Sequence, residues 1–186
     1  MSQNNMGKLI AAAGLGALYA AFAMLGSVIT AVTGVPAVSG GMIISVLGGM
    51  VLSFCCLSIG LFGYASFAGL IYGILALSFP AMGPPGFLPK VLIGLAGGFV
   101  ADLCWILLRR WRLAGSLIAG GASQGVIGGL IIVMGLIFRI PGIEKAVKMK
   151  WLAVGGGFVL GAIGGFLAFI VFQNLKNTKV IQRLNS

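Results

Sequence analysis

Asp102 and Glu144 are the only acidic side chains in 186 residues, and no histidine accompanies them. Hydrolysis or group transfer needs an acid–base pair, a nucleophile with its base, or a metal held by several donors. A lone acid inside an apolar run and a second acid near a distant loop assemble none of these. The three cysteines do not fill the gap: Cys55 and Cys56 are adjacent, Cys104 lies in another run, and no metal-ligand spacing is present. They read as small apolar packers. No GxxxxGK[ST] phosphate loop occurs either. The sequence points away from an enzyme: no catalytic residue, no metal site and no cofactor is expected.

The polar residues that remain suggest binding and packing. Asp102 precedes Arg109 by seven residues, about two helical turns along the same face. It has two readings. One is a structural hydrogen bond inside a helix bundle, to Ser123 or Gln124, or a snorkelling pair with Arg109 or Arg110. The other is a switch or partner-contact residue. Ser123 and Gln124 form the one adjacent, strongly polar pair inside an apolar run, which suits interhelical hydrogen bonding. Three loop regions, Val35–Gly41, Phe79–Lys90 and Arg139–Lys150, gather the other chemistry. Apolar helix ends with a few convergent polar groups are how small-molecule sites are built. On that basis Met82, Pro85, Phe87, Lys90, Arg139, Glu144 and Trp151 are candidate ligand contacts, although the same charges also suit headgroup anchoring.

These residues are set among elements that only a bilayer explains. Hydrophobic residues make up 60% of the chain and charged ones 8%, against about 25% charged in a soluble domain. Long continuous apolar runs, rather than short alternating segments, indicate an all-α integral membrane protein and not a membrane barrel. The runs predict about six transmembrane helices: Leu9–Val32, Met42–Leu57, Ile59–Leu77, Phe87–Leu108, Leu113–Phe138 and Trp151–Phe172. The second and third are short and weakly separated, which keeps a five-span reading open. The polar tail NLKNTKVIQRLNS reads as a frayed helix end. The whole, residues 1–186, is a single transmembrane domain, and the first run is too long, and followed by too many others, for a cleaved signal.

The net charge of +10 is explained by topology and lipid headgroups rather than by nucleic acid. With six spans, Lys8, Arg109, Arg110, Arg112, Lys176, Lys179 and Arg183 share one side, seven cations against five on the other. The tight Arg109–Arg112 turn decides the orientation: both termini cytoplasmic, in the cell membrane. Small residues four apart predict close helix packing: Gly94 and Gly98; Gly121, Gly125 and Gly129; Gly157, Gly161 and Gly165. Ala13, Ala17 and Ala21 form a similar stripe in the first span.

The opening KLIAAAGLGALYAAFAML resembles the first helix of the substrate-binding S components of energy-coupling factor (ECF) vitamin transporters. GPPGFLPKVLIGLAGGFVADLCW resembles that family's loop-to-fourth-span segment. The pattern covers most of the chain and is nearest to the branch associated with thiamine or its hydroxymethylpyrimidine precursor. The resemblance implies a subunit that captures a vitamin or precursor from outside. It implies docking through Ala13, Ala17 and Ala21 on a transmembrane coupling subunit that works with two ATPase subunits. The absence of histidine argues against a metal substrate. The loops depart from a thiamine-type site in having few aromatics and a single acid, Glu144, while their Lys and Arg residues suit an anionic ligand. Outside this resemblance, the chain also reads as a non-catalytic assembly subunit or a small stand-alone permease.

Overall fold

The computed structural model describes residues 3–33, 41–80, 84–139, 147–148 and 150–185. Every regular element among them is helical. In chain order they are α1 (Gln3–Thr33), α2 (Gly41–Ile59), α3 (Tyr64–Leu75), α4 (Pro89–Leu108), α5 (Arg112–Ile137), α6 (Lys150–Leu175) and α7 (Lys179–Asn185), with a 3-10 turn Ala76–Ser78 continuing α3. Five of these are long and apolar enough to cross a membrane, and Tyr64–Ser78 is a shorter apolar helix. The chain is thus an all-helical membrane bundle of six principal helices. Large apolar side chains such as Ile10, Leu25, Leu92, Leu107 and Val159 face outward, as a hydrocarbon solvent allows.

The second and third apolar runs are separate helices, and glycine backbone geometry divides them. Gly63, at φ 96, takes a left-handed conformation at the N-cap of α3 that a side chain would strain. The result is a third helix much shorter than its apolar run suggests. Twelve residues reach about 18 Å, less than the hydrocarbon thickness. At its other end the chain turns through Pro84–Phe87, closed by Phe87 N–H donating to Pro84 O at 3.3 Å. Gly86 supplies the positive φ there, and Pro89 starts α4 in the first helical turn.

Consecutive helices alternate in direction. The arginine end of the bundle carries Arg109, Arg110 and Arg112, together with the α2–α3 turn and the C-terminus of α6. The opposite end carries the start of α2, the end of α3 and the start of α6. The polar tail is not a frayed extension of α6. It folds back as α7 against α1 and α2, because Ile181 and Leu184 give it an apolar face; Ile181 is buried.

Helix contacts are made through glycine. A Cβ at Gly69 would strike Gly94 O, and one at Gly98 would strike Ala65 O, so α3 and α4 meet backbone to backbone. Between α5 and α6, Gly157, Gly161 and Gly165 all face α5, as their spacing predicts. The tightest approach on α5 comes from Gly120, which lies outside the Gly121, Gly125, Gly129 stripe; Gly129 has only ordinary contact with Val154. Hydroxyls stitch the same layer. Ser53 Oγ on α2 donates to Ser116 O at 2.9 Å, and Ser116 Oγ on α5 donates to Gly165 O on α6 at 2.6 Å.

Gly98→Ala should therefore lower stability by about 1–3 kcal/mol through overpacking. Gly155→Ala, where a Cβ meets nothing within 4 Å, should leave it unchanged or slightly raised. Thermal unfolding of the two variants in one detergent measures the difference.

Candidate functional site

Asp102 and Lys90 are both buried, both on α4, and both committed to α3. The Asp102 carboxylate accepts from the backbone N–H groups of Gly63 (3.0 Å), Ala65 (3.2 Å) and Ser66 (2.8 Å), and from Ser66 Oγ (2.6 Å). These are the orphan donors of the α3 N-terminus. Asp102 caps that helix from a neighbouring one, and its partners are not Ser123, Gln124 or the arginines. Twelve residues earlier, Lys90 Nζ donates to Ala76 O at 2.9 Å and Phe79 O at 2.6 Å, just beyond the last turn of α3. The two charges are about 18 Å apart along α4, which matches the length of antiparallel α3. Each meets the end of α3 whose dipole has the opposite sign.

The other candidates sit apart. Pro85 is exposed. Phe87 packs edge-on against Phe138 with ring centroids 5.2 Å apart, in a shallow apolar groove with Leu88, Pro89 and Leu92. Arg139 is exposed with φ 50. Trp151 is 80% exposed, and the Lys150 ammonium lies 5.7 Å from its ring centre. Met82 and Glu144 lie outside the described residues. Lys90, Arg139 and Trp151 line neither this groove nor the deeper cavity. Among the described residues no group of three or more His, Cys, Asp or Glu residues could hold a metal ion.

That cavity, of about 160 Å³, opens between α1, α2, α3, α5 and α6 in the half of the bundle away from the arginine end. Ile44, Ile127 and Ile131 supply its apolar wall, and Tyr19, Ser45, Tyr72 and Gln124 its polar groups. The rings of Tyr19 and Tyr72 stack at 3.8 Å with 12° between their planes. Glycine at position 48 makes room for the Tyr19 ring, which a Cβ there would strike. The Tyr19 hydroxyl lies 3.2 Å from Gln124 Oε1, to which it donates, and accepts from Nε2 at 3.1 Å. The Tyr72 hydroxyl is fully buried and makes no hydrogen bond of good geometry, with the stacked Tyr19 side chain as its one candidate partner among the described residues. A buried hydroxyl left unsatisfied costs about 1–3 kcal/mol.

Of this cluster, only Gln124 stands out by its polarity in the sequence. The tyrosines carry a quieter signal. Tyrosine in membrane helices favours the interfaces, whereas Tyr19 lies near the middle of its apolar run. No family model matches the chain, and no curated protein or solved structure matches it either. The site geometry therefore carries the functional reading.

Asp102→Ala should destabilise the protein by about 2–3 kcal/mol, because several donors at the α3 N-terminus lose a charged acceptor. Hydrogen exchange should accelerate first at the amides of Ala65 and Ser66. Unchanged exchange there would show that Asp102 does not hold α3.

Proposed function

We propose that this chain is a membrane-embedded binding subunit. It takes a small molecule, a vitamin or vitamin precursor, into the cavity between α1, α3 and α5 and passes it on within a larger transporter of the ECF type. The observation that supports this reading is the cavity itself, walled by Ile44, Ile127 and Ile131 with the Tyr19–Gln124 pair and Ser45 as its polar groups. An apolar cavity between helices with a few polar groups is the usual setting of a small-molecule site. With the arginine cluster on the cytoplasmic side, as the positive-inside rule has it, the cavity faces outward, which suits capture from outside.

The surface of α1 supports a membrane partner. Its inward face is Ala12, Tyr19, Ala20 and Ala23, all buried. Ala17 and Ala21 are exposed and Ala13 is half-buried, so the small-residue stripe is not used up inside the bundle. Small residues on an outward helix face permit close approach of another helix. In this reading the partner is a transmembrane coupling subunit that works with two ATPase subunits. Lys90 and Asp102 are structural, since both are occupied by α3.

Co-expression with a coupling subunit and two ATPases tests the docking face. Wild type and Tyr72→Phe should copurify with the complex, whereas Ala17→Trp should lose it. Normal assembly of Ala17→Trp would remove α1 as the docking surface. Failure of wild type to assemble with any coupling subunit would favour a stand-alone permease or an assembly subunit.

A further inference from the structure

Arg109, Arg110 and Arg112 crowd the α4–α5 turn, and all three are exposed, as is Trp111 between them. The chain offers them no acidic side chain. It has two acids against twelve Lys and Arg. Asp102 is spent on the α3 amides and Ser66 Oγ. Glu144 falls in sequence between α5 and α6, whose adjoining ends lie at the opposite end of the bundle. No side chain caps α5, so the positive end of a 26-residue helix opens into the same turn. The counter-charge comes from outside the chain.

The surface of α4 beside the turn identifies its source. Helix α3 begins at the level of Asp102, and from there to Arg109 α4 runs on for about 10 Å without that neighbour. Phe99, Leu103 and Ile106 are exposed, and at 100° per residue they share a sector of about 60°. Arg109 keeps a helical backbone at φ −57 and ψ −24, so Arg110 continues the same stripe. Phe62, from the α2–α3 turn, meets Phe99 edge-on at 5.7 Å and closes its inner end. From Phe99 to Arg110 the stripe runs about 16 Å, close to the thickness of one hydrocarbon leaflet, about 15 Å. We infer that a phospholipid with an anionic headgroup binds here, one acyl chain along Phe99, Leu103 and Ile106 and its phosphate on the arginines of the turn. Arginine suits this role because its guanidinium pairs with phosphate through two parallel hydrogen bonds. An acidic peptide arriving from water would satisfy the arginines and leave the stripe, at hydrocarbon depth, unused. The site is separate from the cavity and does not rest on the binding-subunit reading.

The test titrates lipid-depleted protein in detergent with dioleoyl phosphatidylglycerol or dioleoyl phosphatidylcholine and counts bound lipid by native mass spectrometry. Wild type should retain one phosphatidylglycerol and bind phosphatidylcholine about tenfold more weakly, the worth of a charge-assisted contact. Arg110→Gln should lose about the same factor, and Phe99→Ala should weaken binding severalfold. Joint replacement Lys176→Gln and Lys179→Gln, two exposed cations near the C-terminus of α6, should change nothing. All these side chains are at least partly exposed, so each variant should unfold at the wild-type temperature in lipid-free detergent, which separates lost binding from misfolding. Equal loss in the lysine variant would show a diffuse charge effect and overturn the site. Equal affinity for the two lipids, or no retained phosphatidylglycerol, would overturn it as well. Displacement of the lipid by polyglutamate or by inorganic phosphate at matching concentration would give the turn to a soluble acidic partner or a free anion instead.

Discussion

The grip of α4 on both ends of α3 is the interaction on which the rest of the bundle depends. A helix of twelve residues cannot place its two ends in interfacial water on opposite sides of a membrane. Its terminal amides and carbonyls must find partners within the protein, where an unmet backbone group is costly. Asp102 and Lys90 supply them with charges of the appropriate sign, at a separation set by the helical rise. The glycine contacts at Gly69, Gly94 and Gly98 then bring the two backbones into van der Waals contact along the length between the charges. Neither device works without the other. Side chains at the glycines would hold the helices too far apart for the clasp to close, and an uncapped α3 would fray away from its groove.

Tyr72 lies one turn before the end of α3, so its position is inherited from that grip. Tyr19 reaches it from α1 and Gln124 reaches Tyr19 from α5. An interhelical polar contact in a membrane is worth only about 0.6 kcal/mol on average. The cluster is therefore held by the helices that carry it more than by its own bonds. At the arginine end, the Ser53, Ser116 and Gly165 bonds tie α2, α5 and α6 into one layer. The cavity lies in the opposite half of that layer, where the lining residues of α2, α5 and α6 are mainly isoleucine, glycine and alanine.

Much of the scaffold is legible in the sequence because it is periodic. Long apolar runs give the spans, and Gly157, Gly161 and Gly165 give the α6 face at once. What is not periodic is harder to read. Asp102 is conspicuous as a lone acid, but its partner depends on where α3 begins, and that depends on the backbone of Gly63 rather than on hydropathy. Lys90 has the same ambiguity: a lysine at the start of an apolar run reads equally as a headgroup anchor, a ligand contact or a cap. The carbonyls it reaches belong to a helix that ends sooner than its apolar run. Tyr72 is invisible as a site residue because its place in the cavity wall follows from where the short α3 packs against α1. Met82 and Glu144 fall outside the described residues, so their candidacy rests on the sequence reading.

Helix α1 turns about 100° per residue, so Tyr19 is separated from both Ala17 and Ala21 by about 200° and points to the opposite side. One face of this helix forms part of the cavity wall, and the other is bare toward the bilayer. The two surfaces are separated by no intervening residue shell, only by the thickness of a single helix, about 10 Å. A ligand on one side and a partner helix on the other, as proposed above, would bear on the same two turns of backbone. Coupling between two such contacts would need no relay of packed side chains, since any tilt or rotation of that rod is felt on both faces in the same motion.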